Sequence, residues 1–169
     1  MKNHFELFGL EPAFALDAEH LERSYREIQA SVHPDRFAHA ADAERRASME
    51  MTTRVNEAYR TLRSPLRRAV YLLELNGVDA GLQTNTAMPA DFLVEQMELR
   101  ERLAEARDPG ALGRLEREFS SLKSDLEARI AERMDVRQDW QGAADLVRRL
   151  MFLEKLVEDL HAAYDALEA

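Results

Sequence analysis

Residues 17–37 read DAEHLERSYREIQASVHPDRF. Asp17 is placed to cap a helix, because a carboxylate just ahead of the first turn accepts from amides that have no partner within the helix. Leu21, Tyr25, Ile28 and Val32 follow at spacings of four and three, which puts them on one helical face. The helix must stop near His33, since Pro34 disfavours the helical conformation of the residue before it. His33-Pro34-Asp35 is therefore a loop directly behind a helix C-terminus. Past the loop, Ala47, Met51, Val55, Ala58, Tyr59 and Leu62 outline a second helix of about four to six turns. The two apolar faces predict an antiparallel finger with the loop at its tip.

Upstream lies a short apolar start, Phe5, Leu7, Phe8 and Leu10. Downstream, Ser64-Pro65 supplies a cap and a first-turn proline for a short helix over 66–76, closed by Asn76-Gly77. These elements make a first module over 1–77. Residues 78–89, with Gly81, Thr84, Asn85, Thr86 and Pro89, have the composition of a linker. Residues 90–169 carry three long helical patterns, at about 90–107, 111–135 and 143–168, with breaks at Asp108-Pro109-Gly110 and between Asp139 and Gly142. The last pattern has an apolar seam of Leu146, Leu150, Leu153, Val157, Leu160, Tyr164 and Leu167. The middle one carries Leu112, Leu115, Phe119, Leu122, Leu126, Ile130 and Met134, and the first Phe92, Gln96, Leu99, Leu103 and Ala106. Three amphipathic helices joined by short turns imply an up-down-up bundle. The fold class is all-α, an expectation supported by only 6 glycines and 5 prolines in 169 residues.

The net charge of −9 sits in the second half: residues 1–77 hold 11 basic against 12 acidic side chains, residues 78–169 hold 12 against 20. An acidic surface repels phosphate backbones and anionic lipid, so proteins are the expected partners, with no nucleic acid and no membrane. The chain has no cysteine, hence no disulfide and no thiolate metal site of its own. The first residues lack the apolar core of a secretory signal, and no apolar run approaches the ~20 residues of a membrane helix, which places the protein in the cytoplasm as an expectation.

Large apolar residues that fall off the seams mark candidate binding surface. Leu93, Val94 and Met97 lie outside the Phe92/Leu99/Leu103 seam, and Phe152 lies off the Leu150/Leu153 seam. Two readings stand. A three-helix bundle has wide apolar faces that could bury these four residues at its flanks. Alternatively, with the first and third helices adjacent, they form one exposed patch with Glu98 and Glu101 on its rim.

The first module resembles the J-domain, in which a His-Pro-Asp loop sits between antiparallel helices. The resemblance rests on the Tyr25 helix, His33-Pro34-Asp35, Phe37 and the Val55-to-Leu62 segment. It implies that the loop engages a heat-shock chaperone ATPase: Asp35 pairs with a chaperone arginine, Pro34 fixes the turn and His33 helps hold it. The preceding helix departs from a strongly basic face, offering Arg23 and Arg26 among Glu19, Glu22 and Glu27, with Arg36 after the loop. That points to a specialised chaperone.

Further segments extend the likeness over nearly the whole chain. Phe5-Glu6-Leu7-Phe8-Gly9-Leu10, Arg63-Ser64-Pro65-Leu66, Phe92 to Glu101 and Val147 to Leu153 are similar to the HscB family of iron-sulfur co-chaperones. The resemblance implies an HscA-like chaperone ATPase and an IscU-like iron-sulfur scaffold as partners. It implies scaffold contacts at Leu93, Val94, Met97, Glu98, Glu101 and Phe152, and it implies no catalytic residue, cofactor or metal. The lack of cysteine sets the chain apart from members with a cysteine-rich N-terminal extension, so the bacterial type is expected. A J-domain adaptor for another client is the alternative. A third class, a helical metalloenzyme, would start from Glu158 and His161 at Glu-x-x-His spacing, but a di-iron site needs a second such copy, which is absent. His33, Asp35 and His39 are too few for a closed metal site.

Overall fold

The computed structural model describes residues 1–81 and 89–169, and among these the chain is helical with no strand. The helices are α1 (His4–Leu7), α2 (Ala18–Val32), α3 (Asp42–Arg63), α4 (Pro65–Leu75), α5 (Ala90–Glu105), α6 (Pro109–Ala131) and α7 (Trp140–Glu168), with a single 3-10 turn at Pro34–Phe37. The chain divides into two compact units, Met1–Leu72 and Leu73–Ala169, the division falling inside α4. Of the linker read over 78–89, residues 82–88 lie outside the described residues, and with them Thr84, Asn85 and Thr86.

In the first unit Asp17 caps α2 as its position predicts, accepting from the amides of Glu19 and His20 at 3.1 Å each. The pairing of α2 with α3 is antiparallel because contacts shorten in sequence toward the loop: Tyr25 stacks on Tyr59 with ring centroids 3.9 Å apart, while Val32 meets Ser48 and Thr52. The Tyr25 hydroxyl also donates to Asn56 at 2.7 Å. Leu21, Val55, Ala58 and Leu62 form the buried centre, with Phe5, Phe8 and Phe14. Ala47, part of the apolar run read for α3, is exposed, and Ser48 is buried in its place. A polar side chain takes the inward position because the end of α2 has carbonyls for it to bond. The amide of His4 donates to the Tyr71 hydroxyl at 3.0 Å, and the two rings stack, so α1 is held to α4.

Two helix ends use glycine where only a left-handed residue closes the turn. At Gly77 (φ +72°) the amides of Gly77 and Val78 bond back to the carbonyls of Glu74 and Leu73. At Gly9 (φ +67°) the amides of Gly9 and Leu10 do the same to Glu6 and Phe5. Both are the paired end-bonds of a Schellman motif.

In the second unit α6 and α7 form the main pair, and α5 packs on α7. Leu112, Leu115, Phe119, Leu126, Ile130 and Met134 are buried, as the α6 stripe predicts. The α7 face is wider than the seam read for it: Val147 and Leu156 are buried besides Leu146, Leu150, Leu153 and Leu160, whereas Leu167 is 42% exposed and Val157 is half-buried. A helix flanked by two neighbours buries a broader arc than a two-stranded seam requires. The expected breaks also shift. α6 starts at Pro109 because Asp108 caps it, accepting from Ala111 at 2.9 Å, and α7 starts at Trp140 because Asp139 caps it, accepting from Gly142 at 3.0 Å. Proline and glycine here fill the first helical turns, where proline's missing amide costs no bond. Between α6 and α7 the backbone widens, with the Arg137 amide bonding to Glu132 five residues back at 3.1 Å, and Gln138 takes φ +53°. Residues 78–81 are tied down locally: Ala80 is buried and its carbonyl accepts from Arg148 Nη1 at 2.9 Å.

Candidate functional site

The tip of the finger is held from both sides. The last turn of a helix leaves carbonyls without partners. Here the Val32 carbonyl accepts from Ser48 Oγ at 2.6 Å and Thr52 Oγ1 at 3.2 Å, both on α3, and the Ala30 carbonyl accepts from Arg36 Nη1 at 3.3 Å. His33 turns back over the loop, its Nδ1 accepting from the amide of Asp35 at 3.2 Å and lying 3.6 Å from the Asp35 carboxylate. That acceptor role puts a neutral imidazole's proton on Nε2. Pro34 occupies the first position of the short turn. The Asp35 side chain is left 92% exposed, a carboxylate presented on a braced turn. Ser48 and Thr52 were not singled out by the apolar pattern, although their i, i+4 spacing on the inner face of α3 is the signal that finds them.

The charges around the tip are unequal. Arg26 is exposed and bonded to Glu22, Nη2 to Oε1 at 2.9 Å, and Glu22 also accepts from the Tyr59 hydroxyl on α3. The Tyr59 hydrogen bond, then that from Arg26, holds the Glu22 carboxyl below the ordinary glutamate value. Arg23 is exposed on the same helix, and Arg36 is spent partly on the Ala30 carbonyl.

The second candidate surface lies on α5. Leu93, Val94 and Met97 are 45%, 54% and 70% exposed, while Phe92 and Leu99 are buried beneath them. Helical spacing arranges the outward side chains in two strips: Leu93, Met97 and Arg100 on one, Val94, Glu98 and Glu101 beside it. Phe152 on α7 is half-buried and packs edge-on against Phe92, with ring centroids 5.9 Å apart. It also lines a small cavity with Phe92, Glu95, Leu99, Arg149 and Leu153. The Arg100 guanidinium lies over the Phe152 ring at 5.0 Å, which joins Phe152 to the Leu93/Met97 strip, and Arg149 lies over Phe92 at 4.8 Å. Of the two readings left open for the off-seam residues, the α5 trio is exposed, and Phe152 is intermediate. Arg100 and Arg149 gave no signal in the apolar pattern that singled out their neighbours.

Glu158 and His161 are both exposed along a groove between α6 and α7 with Glu116, Lys123 and Glu154. Among the described residues no three His, Asp or Glu side chains gather to hold a metal, and no helix is long and apolar enough to cross a membrane.

A two-helix finger that presents a braced His-Pro-Asp turn, followed by a separate helical bundle, defines the protein class as a J-domain co-chaperone. Residues 88–161 match the family model described as HSCB C-terminal oligomerisation domain. A co-chaperone protein HscB homolog from Azoarcus sp. (strain BH72) is 48% identical over 170 residues, spanning 99% of this chain and 96% of the relative. The protein belongs to the HscB co-chaperone family. The HscB homolog of Burkholderia thailandensis is likewise 48% identical, over 98% of this chain and 96% of its own. Chaperone HscB from Vibrio cholerae superposes with a TM-score of 0.87 at 36% identity, covering 98% of this chain and 99% of that one. Human co-chaperone protein HscB superposes with a TM-score of 0.92 at 28% identity, over 95% of this chain and 81% of that one.

Proposed function

We propose that the protein is a J-protein co-chaperone of iron-sulfur cluster assembly that stimulates ATP hydrolysis by an HscA-like chaperone and delivers an IscU-like scaffold to it. In this reading residues 1–77 work on the chaperone and residues 90–169 hold the scaffold, and the protein itself performs no catalysis. The observation that carries the reading is the Asp35 carboxylate, 92% exposed on a turn braced by His33 from within and by Ser48, Thr52 and Arg36 at the α2 terminus. A braced loop loses little conformational freedom when it docks, so more of its contact energy goes into binding. His33, Pro34 and Asp35 make the chaperone contact, flanked by Arg23, Arg26 and Arg36, with Asp35 pairing to a chaperone arginine. The scaffold contact consists of Leu93, Val94 and Met97 with Phe152, and Glu98 and Glu101 reach basic groups at its edge. Holding the scaffold beside the chaperone raises their effective concentration, which couples hydrolysis to capture.

The test is the single-turnover ATPase rate of an HscA-like chaperone with this protein or its Asp35→Ala form. Wild type accelerates hydrolysis and Asp35→Ala does not, while both melt at the same temperature. Equal acceleration by the two forms contradicts the assignment of the loop.

A further inference from the structure

Five arginines of the second unit are paired with acids. Arg102 makes a two-pronged pair with Glu118, at 2.9 and 2.6 Å, and Arg129, Arg133, Arg137 and Arg148 bond Asp125, Asp139, Glu132 and Asp145. Arg100 and Arg149 instead lie over aromatic rings, and of the two Arg100 is the exposed one, on the outward side of α5. Among the described residues no carboxylate lies within ion-pairing distance of Arg100, and its guanidinium is laid on the face of Phe152 instead. Its neighbours on the outward side of α5 are the exposed Leu93 and Met97, and Glu101 is the next residue along. A guanidinium stacked on an aromatic ring keeps its in-plane N–H donors directed outward, and the planar fork matches a carboxylate.

We infer that Arg100 reads an acidic side chain of the docked scaffold, so that the docking face is electrically two-sided: a cationic end where Arg100 covers Phe152, and an anionic strip at Glu98 and Glu101. The inference rests on the scaffold-docking reading of the α5 surface and adds to it the chemistry of the partner. The scaffold surface must carry a carboxylate opposite Phe152 and basic groups opposite Glu98 and Glu101, around an apolar centre that receives Leu93, Val94 and Met97. Opposite charges on the two neighbouring strips set the orientation of docking, because a pose turned about sets like charges against each other. Arg100 thereby acts as a specificity residue, and its stacking also holds the Phe152 ring in place.

The test is titration calorimetry of the full-length protein with a purified IscU-type scaffold at several salt concentrations. The forms compared are wild type, Arg100→Gln, Arg100→Glu, Arg100→Lys, Phe152→Ala and Leu93→Ala, each checked for an unchanged helical spectrum. Arg100→Gln is expected to weaken binding by roughly tenfold and Arg100→Glu by a further tenfold or more, with a shallower salt dependence for Arg100→Gln. Arg100→Lys retains the charge without the planar fork and falls between wild type and Arg100→Gln. A purely structural role for Arg100 would make the Gln and Glu forms equally weak with the wild-type salt dependence, and that result overturns the inference. Wild-type binding by Arg100→Glu alongside loss in Phe152→Ala overturns it too, leaving the docking surface intact. If Phe152→Ala and Leu93→Ala both bind as wild type, the docking surface itself is misplaced.

Discussion

Leu93 and Leu150 are the same residue type in neighbouring helices with opposite tasks. Leu150 is fully buried, and truncating it to alanine removes packed methyls and leaves a cavity, a loss of ~2–5 kcal/mol. Leu93 is 45% exposed, and Leu93→Ala changes stability by no more than ~0.5 kcal/mol. Urea unfolding should separate the two cleanly, while scaffold affinity falls in Leu93→Ala. Gly142 gives a second residue-scale outcome. A methyl group there would collide with the Asp139 carboxylate, which caps α7 and bonds Arg133 Nη1 at 2.7 Å. Gly142→Ala should lower the melting temperature of the bundle by roughly 2–8 °C, the scale of a lost cap. An unchanged melting curve would show that Asp139 moves aside without giving up its bonds. The sequence made Leu93 readable, because it breaks a periodic pattern, but not Arg100 or Gly142. Stacking and steric fit depend on which helix lies alongside, and no local spacing reveals that.

At the scale of elements, the braces of the loop and of the bundle both make predictions. Ser48 and Thr52 satisfy the terminal carbonyl of α2, so Ser48→Ala/Thr52→Ala leaves Val32 without its α3 donors at a cost of ~1 kcal/mol or more. Hydrogen exchange at the end of α2 should accelerate and chaperone stimulation should fall, with Asp35 itself untouched. In the bundle, two acids respond to pH with opposite sign. The Arg102 hydrogen bond holds the Glu118 carboxyl below its ordinary value of 4.5, so this pair's contribution is fully present above that pH and is lost as pH falls below it. Burial pushes the Glu154 carboxyl above 4.5, only partly opposed by Lys123 at 3.7 Å, so its ionised form costs stability at neutral pH and the cost fades as pH falls through the raised value. Thermal melts of Glu118→Gln should start below wild type at pH 7 and converge with it as the pH falls through the lowered value, below 4.5. Those of Glu154→Gln should start above and converge as the acid protonates. Helix identity was legible for α2, α3, α6 and α7 because their stripes run for many turns and Asp17 and Pro34 mark sharp ends. Helix starts at Asp108 and Asp139 were less so, since proline and glycine in a first turn look like breaks until the cap is seen.

For the whole molecule, the two units carry different chemistry on one chain. The first offers an anionic loop tip and the second an apolar strip with charged flanks. The resemblance of nearly the full chain to one family made this pairing legible from the sequence, whereas composition and periodicity alone reached only two helical modules. The central claim is that one chain brings a chaperone and its client together. It is tested most directly by the steady-state ATPase rate of an HscA-like chaperone with an IscU-like scaffold, adding wild type or Leu93→Ala/Phe152→Ala. The account predicts strong synergy between scaffold and wild type, and for the double variant only the stimulation seen without scaffold. Full synergy from the double variant would contradict it.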